Sequence, residues 1–444
     1  MNRQLVWQSP MGWSCPRLIW GMGVSALLLY AFLRVLWPAP GGAAETLMAL
    51  LGLVMVLAYG RGIRHGAATW LLAAAVAVQV LSWSLGYFHH PEWVAENPQI
   101  DRLAKLFIFI AVAWWLGGST RNTFLMWALA LVGLMLASFV QGDGVQEWLR
   151  GLQGQRVGFG VRNFQHGAML FGILLLGLVI FAPRLLSPGR WRAWRAVGWC
   201  LALALATIAV LIGQTRAVWL ALVIALPLVF LGWWLVRRAR GGSMNRRVLA
   251  AGLVLLLVAL GSATAMKTLL LERVGQESRV MGMLLEGKVE ALPYTSIGIR
   301  IHSWRAALEW IEERPLVGWG GEGRGLVMEH TPWLPEEIRQ TFGHLHNYFL
   351  EVWVAYGLLG VTVIALLALW IGSATWRSWR AGIMPGDMAL FGAGFFCYWM
   401  VVNQFEAYNA FWTGVYAHNL VVGGLVTHYW RLQTSGATRQ ASVK

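Results

Sequence analysis

The sequence predicts an all-α polytopic membrane protein, and three observations support this fold class. Apolar residues make up 58% of the chain and charged residues only 12%, whereas about a quarter of the residues in an ordinary soluble domain are charged. Apolar stretches of about 20 residues, the length that crosses a bilayer as a helix, recur along the chain. Many of the 28 tryptophans lie at the ends of these stretches, as expected for side chains that anchor helices at the two membrane interfaces.

Hydropathy predicts about twelve membrane-spanning helices. Their approximate bounds are 18–37, 44–60, 68–86, 103–119, 122–141, 166–186, 195–213, 216–236, 248–266, 346–374, 387–406 and 412–430. We expect a single membrane domain over residues 1–444, with residues 267–345 forming a large external loop between the ninth and tenth spans. We expect the first span to be retained, because it is longer than the apolar core of a cleaved signal peptide.

The distribution of arginine predicts the orientation of these spans. With the N-terminus in the cytoplasm, the cytoplasmic loops include the arginine-rich segments 184–195 and 237–247, whereas 38–43 and 407–411 on the other side contain no lysine or arginine. Short cytoplasmic loops of membrane proteins carry the excess of basic residues. Both termini are therefore expected in the cytoplasm. The opposite side then holds the segments 87–102, 142–165, 213–215 and 267–345.

Composition argues against several other classes of protein and site. The net charge is +15, and the basic residues lie mainly in short loops between spans. The sequence contains no basic helix with interleaved aromatic residues, the pattern typical of nucleic-acid binding. We therefore expect no nucleic-acid partner. The three cysteines are scattered and fit neither a metal site nor a disulfide framework. His344 and His346 form a His-x-His pair, but aspartate is scarce and no further metal-binding pattern accompanies them. We therefore expect no metal and no cofactor.

Four residues at the external ends of spans are candidates for chemistry. His346 begins a span, and an imidazole can accept a proton near neutral pH. Arg216 and Arg162 each precede an apolar helix on the same side, and Arg300 begins a helix in the external loop. Each arginine alone is typical of a side chain that extends towards lipid headgroups. Together they indicate a cationic site for a diphosphate, because guanidinium groups bind phosphate oxygens in bidentate fashion.

Two glutamates near the same side leave alternatives open. Glu351 and Glu406 lie near the external ends of spans, where a carboxylate usually pairs with a cation. Either of them could pair with an arginine, orient His346 or do neither, and the sequence does not choose between these possibilities.

These residues fall in a region that resembles a known family. The motifs are 300–304 (Arg-Ile-His-Ser-Trp), 315–318 (Pro-Leu-Val-Gly), 346–351 (His-Asn-Tyr-Phe-Leu-Glu), 357–360 (Gly-Leu-Leu-Gly), 215–216 (Thr-Arg) and 162–163 (Arg-Asn). Together they resemble the region shared by O-antigen ligases and the related O-antigen polymerases. The resemblance covers about residues 156–362 in motif and the whole chain in hydropathy. The chain length and the single large external loop favour the ligase.

The resemblance implies a fold similar to the GT-C type of glycosyltransferase, in the inner membrane of a Gram-negative bacterium with its active site facing the periplasm. The implied donor is O-antigen polysaccharide linked to undecaprenyl diphosphate, and the implied acceptor is a sugar hydroxyl of lipid A–core. In this interpretation His346 is the general base, and Arg216, Arg300 and Arg162 bind the diphosphate, which makes a metal unnecessary. The anomeric configuration is expected to invert. The supporting candidates are His344, Asn347, Glu351 and Arg305.

Two alternatives share part of this interpretation. An O-antigen polymerase would use the same lipid-linked donor and transfer it to another lipid-linked chain, which residue chemistry does not distinguish from ligation. A transporter or flippase of lipid-linked glycans would carry out no covalent chemistry. Transporters often show repeated halves with broken helices near the membrane midplane, whereas the charged candidates in this sequence cluster at one membrane face.

Overall fold

The computed structural model describes Trp7, Trp13, residues 15–239, Val280 and residues 282–441. Within these residues the secondary structure is helical and contains no β-strand. The helices of the first half are α1 (Arg17–Leu36), α2 (Pro38–Tyr59), α3 (Ala67–His89), α4 (Asp101–Ala104), α5 (Phe109–Leu116), α6 (Thr120–Val140), α7 (Val145–Leu152), α8 (Phe164–Ile180), α9 (Ala182–Leu185), α10 (Arg192–Ile212) and α11 (Arg216–Ala239).

The second half contributes six helices in the described part of the chain. They are α12 (Ser296–Glu313), α13 (Gly323–His330), α14 (Glu336–Thr341), α15 (Tyr348–Arg380), α16 (Gly386–Val402) and α17 (Trp412–Ala441). Short 3-10 turns occur at Pro91–Trp93, Lys105–Phe107 and Tyr408–Ala410.

The predicted fold class is confirmed as a polytopic, all-helical membrane protein. Seven helices in the described part of the chain, α1, α2, α3, α6, α10, α11 and α15, are long and apolar enough to cross a membrane. The helices α8 and α16 are shorter and also apolar. The predicted span 248–266 lies outside the described residues, and the total of twelve spans stays a prediction.

The predicted span 103–119 is a series of short helices, because α4, a 3-10 turn and α5 follow one another there. Breaks of this kind leave peptide groups unpaired, and inside a bilayer each of them needs a partner within the protein. The central helix α17 supplies these partners. Asn419 accepts a hydrogen bond from the N–H of Phe109 at 2.7 Å and donates one to the carbonyl of Lys105 at 2.9 Å. Thr427 pairs with the other end of α5 in the same way, at 2.7 Å on each side.

Several loops that are predicted to lie on the same side of the membrane contact one another at one end of the bundle. The loop between α10 and α11 contacts the loop before α8, since Gln214 donates a hydrogen bond to the carbonyl of Gly154 at 2.8 Å. The loop before α15 contacts the loop after α16 through His346 and Glu406, whose side chains lie 3.0 Å apart. The compartment that this end faces stays a prediction.

The long helix α15 is divided by Gly357, whose dihedral angles (φ 60°, ψ −163°) are not helical. The segment that follows α12 lies against this break, and backbone hydrogen bonds join the two. Leu358 donates to the carbonyl of Pro315 at 2.8 Å, and Gly320 donates to the carbonyl of Ala355 at 2.8 Å. The part of α15 before Gly357 is therefore attached to the external segment. The predicted span 346–374 is thus a helix divided at Gly357, whose first part contacts the segment after α12.

We predict that Gly357→Ala destabilises the protein by roughly 2–4 kcal/mol. An added Cβ would lie 2.1 Å from the carbonyl carbon of Leu316, and a left-handed backbone disfavours any side chain. The matched control is Gly372→Ala in the same helix, where a Cβ would meet no atom within 4 Å. Thermal unfolding of the detergent-solubilised proteins measures the difference. Equal unfolding temperatures for the two variants would contradict the importance of this break.

Candidate active site

A buried histidine–carboxylate pair lies at the centre of the site. His346 Nδ1 lies 3.0 Å from the Oε2 atom of Glu406, which is fully buried in the loop after α16. The backbone of His346 has a φ of 52°, a region that few residues other than glycine adopt and that is often found at functional sites. Asn347 caps α15 immediately afterwards by accepting hydrogen bonds from the N–H groups of Phe349 and Leu350 at 3.0 and 3.2 Å. The cap fixes the point at which the chain enters the helix and thereby the position of the imidazole.

The protonation states follow from burial and from this hydrogen bond. Burial lowers the pKa of His346 below its usual value, and the hydrogen bond to Glu406 opposes this shift only in part. Burial would raise the pKa of Glu406, but the hydrogen bond and charge interactions with the histidines lower it to about 2. At neutral pH the carboxylate is therefore ionised and the imidazole neutral. Because an ionised carboxylate can only accept, we assign the imidazole proton to Nδ1, which leaves the Nε2 lone pair able to take a proton.

The second candidate histidine lies between the two glutamates. His344 Nδ1 is 3.6 Å from Glu351 and 3.7 Å from Glu406, and the rings of His344 and His346 have centroids 3.9 Å apart. Glu351 is committed elsewhere, since it accepts hydrogen bonds from Arg324 and from the N–H of Leu345, both at 3.1 Å. The structure thus decides which role each glutamate has, a question that the sequence left open. Glu406 pairs with His346, and Glu351 pairs with an arginine.

His344, His346 and Glu406 could also hold a metal ion, because their potential ligand atoms lie within 4.8 Å of one another. Two imidazoles and a carboxylate are a typical set of zinc ligands. Cationic side chains close to the cluster, such as Arg300 and Arg324, disfavour a divalent cation electrostatically. The expectation of a metal-independent site stays a prediction.

The ring of Phe411 contacts arginine and histidine side chains at this end of the bundle. The guanidinium carbon of Arg162 lies 3.9 Å from the centroid of the Phe411 ring, and that of Arg324 lies 5.7 Å from it. The rings of His344 and His166 lie 5.7 and 5.2 Å from the same ring. Cations are attracted to the face of an aromatic ring. The ring therefore holds Arg162, and more distantly Arg324, near His344, whose Nδ1 atom lies 3.7 Å from Glu406.

Arg300 approaches the pair from α12. Its Nη2 atom donates a hydrogen bond to Oε1 of Gln165 at 3.4 Å, and Tyr408 donates to the backbone carbonyl of Gln165 at 3.2 Å. Burial lowers the pKa of Arg300, while the negative charge of Glu406 raises it. Its Nε atom is buried and has no hydrogen-bond partner among the described residues. A buried donor without a partner costs free energy unless a ligand or water pairs with it.

Arg305, on the same helix, has different neighbours. It pairs with Glu290 at 3.1 Å and with Glu309 at 3.5 Å, and its guanidinium carbon lies 5.0 Å from the centroid of the Trp333 ring. Five residues correspond to about 140° around a helix. Arg300 and Arg305 therefore point to different faces of α12, and only Arg300 faces the pair.

Arg216 is the first residue of α11, at the same end of the bundle. The preceding residues are held by Arg156, which donates to the carbonyl of Gly213 at 3.2 Å and to the hydroxyl of Thr215 at 3.4 Å. Arg156 also lies over the ring of Phe164, 5.3 Å from its centroid. Arg300 and His346 thus lie close to Glu406, and Arg162 lies over Phe411, whose ring also contacts His344. Arg216 is connected to them through the loop that contains Arg156 and Arg162.

Sequence reasoning missed several members of the site. Arg324 lies in a glycine-rich external segment, and Arg156 lies in the loop before α8, so neither stands at the start of a long helix. Phe411 and Gln165 carry no charge. A search for all arginines on the external side would have found Arg324 and Arg156, but their partners depend on how the loops fold together.

Comparison with known proteins gives an independent view of this region. Residues 201–365 match the family Wzy_C, described as O-antigen ligase. This segment includes Arg216, Arg300 and His346, whereas Arg162 and Glu406 lie outside it. An uncharacterised protein of Haemophilus influenzae is 37% identical over 78 residues, which is 17% of this chain and 19% of that protein. The resemblance found in the sequence is confirmed over residues 201–365, where the chain is similar to the O-antigen ligase family.

Proposed function

We propose that the protein is an O-antigen ligase, which transfers O-antigen polysaccharide from undecaprenyl diphosphate to a sugar hydroxyl of lipid A–core. One observation carries this proposal. The neutral imidazole of His346 is hydrogen-bonded to the ionised, buried Glu406. Arg300 interacts electrostatically with it, and Arg162 and Arg324 lie over the ring of Phe411 at the same end of the bundle. Such a site can remove a proton from an acceptor hydroxyl and bind an anionic leaving group at the same place.

The proposed reaction is a single displacement. The acceptor hydroxyl oxygen forms a bond to the anomeric carbon of the donor while its proton moves to Nε2 of His346. The bond between the anomeric carbon and the diphosphate oxygen breaks, and undecaprenyl diphosphate leaves with the electron pair. Glu406 stabilises the imidazolium that forms, as a carboxylate does for a histidine base in other enzymes. Attack from the face opposite the leaving group inverts the anomeric configuration.

The arginines supply the second part of the proposed mechanism. Negative charge grows on the departing diphosphate, and preorganised cations in a site with little water stabilise that charge strongly. Arg300 has a buried Nε donor without a partner among the described residues, which a phosphate oxygen would satisfy. Arg162 and Arg216 complete the proposed diphosphate site from the loops before α8 and α11. In this proposal arginine takes the role that a divalent ion has in other transferases.

The proposed setting is the inner membrane of a Gram-negative bacterium. The site would face the periplasm and both termini the cytoplasm, with about twelve spans in an arrangement similar to the GT-C type. Both substrates would be anchored in the membrane. A site at the ends of helices, covered by α12 to α14, suits reacting groups that stand just outside the bilayer.

The direct test is a transfer assay with the purified protein and a lipid-diphosphate-linked glycan as donor. We expect product when lipid A–core is the acceptor, and the product should also form in the presence of a chelator. Transfer only to a second lipid-linked glycan would instead identify a polymerase. Movement of the donor across a vesicle membrane without a new glycosidic bond would identify a transporter.

We predict that His346→Gln lowers kcat by about 10²–10⁴, the usual contribution of a general base. Glutamine keeps a polar side chain and removes the basic nitrogen. The matched control is Gln340→Glu on α14, an exposed residue of similar size, which should leave kcat near normal. Steady-state kinetics with saturating donor measures both variants. Near-normal turnover of His346→Gln would exclude His346 as the base.

We predict that Glu406→Gln moves the acidic limb of the pH–rate profile to lower pH and lowers the plateau by about tenfold or more. The base must be neutral, so the rate rises as pH passes upwards through the pKa of His346. Glu406 raises that pKa, and its neutralisation lets the pKa fall further. The exposed Glu309→Gln is the control. An unchanged profile in Glu406→Gln would contradict the pairing.

We predict that Arg300→Lys lowers kcat/KM for the donor by about tenfold, because lysine keeps the charge and loses the bidentate donor geometry. Arg305→Lys is the matched control on the same helix, since Arg305 pairs with Glu290 and Glu309, and should remain near wild type. Donor-dependent initial rates distinguish them. Equal effects of the two substitutions would count against a diphosphate site at Arg300.

A further inference from the structure

A large apolar groove lies inside the bundle and away from the histidine–carboxylate pair. Its volume is about 520 Å³, within the range of ordinary ligand sites. It is formed mainly by α6, α8 and α17, with Phe391 of α16 and Val35 of α1. On α6 it extends from Arg121 to Leu134, which corresponds to about 20 Å along a helix. Half of a bilayer core is about 15 Å thick, so the groove has the length of one extended hydrocarbon chain.

The polar groups in the wall of the groove already have partners within the protein. The indole N–H of Trp127 donates to the carbonyl of Leu420 at 3.0 Å, and the hydroxyl of Tyr416 donates to the carbonyl of Ala31. Apart from the arginines, the other lining residues are apolar. A polar small molecule would find no donor or acceptor in this wall, whereas a hydrocarbon chain would be buried favourably.

The charged residues of the groove lie at one end, opposite His346. Arg121 begins α6 and Arg184 lies in α9. Arg184 forms a two-point ion pair with Asp387, at 2.7 and 2.8 Å, so its charge is balanced. Arg121 is exposed at the surface of the bundle and lines the groove as well. Among the described residues that line the groove, Arg121 is therefore the one whose charge has no acidic partner.

At its other end the groove is separated from the proposed active site. Leu170 lines the groove, and one turn earlier on α8 the side chain of His166 is completely buried. His166 is hydrogen-bonded to Thr413 of α17, and Thr413 and Tyr408 are also fully buried. This layer of packed side chains lies between the groove and Glu406, so a lipid whose phosphate is at Arg300 does not reach the groove directly.

We propose that the groove binds one acyl chain of an anionic glycerophospholipid whose phosphate contacts Arg121. The length of the groove matches a chain within one leaflet, and its wall is apolar. Arg121, which has no acidic partner among the described residues, complements a phosphodiester. The bound lipid fills the space between α6, α8 and α17 and ties these helices together at the end opposite the site. This inference does not depend on the proposed transferase reaction.

The test uses the full-length protein purified in detergent and equilibrated with equal amounts of phosphatidylglycerol and phosphatidylcholine. Native mass spectrometry counts the lipids that remain bound. We expect one retained phosphatidylglycerol per wild-type chain. Gly177→Leu fills the groove, since its Cβ would lie 3.5 Å from Phe391 without a clash, and retention should fall about tenfold. Arg121→Gln should retain both lipids equally.

Gly198→Leu is the matched control, because Gly198 lies on α10 and its Cβ would meet no atom within 4 Å. This variant should retain the lipid like the wild type. If Gly177→Leu does not fold, Ala128→Phe fills the groove from α6, which lines the opposite wall. Equal retention in the filling variants and in Gly198→Leu would overturn the proposal. A retained lipid that is an isoprenoid diphosphate would overturn it as well, and would assign the groove to a transfer substrate.

Discussion

The hydrogen bond between His346 and Glu406 is the constraint on which the rest of the site depends. It joins the end of the external segment to the loop between α16 and α17, two parts of the chain that are 60 residues apart. A second contact beside it, from the N–H of Tyr348 to the carbonyl of Asn403 at 2.9 Å, fixes the same two segments. Because Glu406 is fully buried, its charge needs partners, and the histidines and Arg300 are the groups that face it. Burial and charge together keep the imidazole neutral and the carboxylate ionised.

Two interrupted helices show how this membrane protein stabilises irregular backbone. The break in α15 at Gly357 attaches the external segment to the membrane helix that follows. The divided segment α4–α5 is paired with polar side chains of α17, and Asn419 alone satisfies two of its peptide groups. At Gly357 the break allows the segment after α12 to approach the bundle closely. Peptide groups that lose their helical partners at these breaks are paired with specific groups of the protein, as a bilayer interior requires.

Much of this architecture can be predicted from the sequence. The features that cannot be predicted depend on tertiary contacts. Long apolar runs predict helices well because a bilayer allows few alternatives, and the predicted external loops do meet at one end. His346, Arg162 and Arg300 were predicted from residue type and position at helix ends. The sequence does not predict the partner of His346, because Glu351 and Glu406 have the same chemistry and only the fold decides which of them lies beside the imidazole. The division of α15 also depends on a tertiary contact, although Gly357 is visible in the sequence.

A double-mutant cycle on turnover tests the central claim most directly. It compares His346→Gln, Glu406→Gln and the double variant in the transfer reaction, because residues that act as one unit are not additive. If Glu406 acts only through His346, the double variant has the same kcat as His346→Gln alone. Losses that multiply would show that the two side chains act independently and would contradict the account.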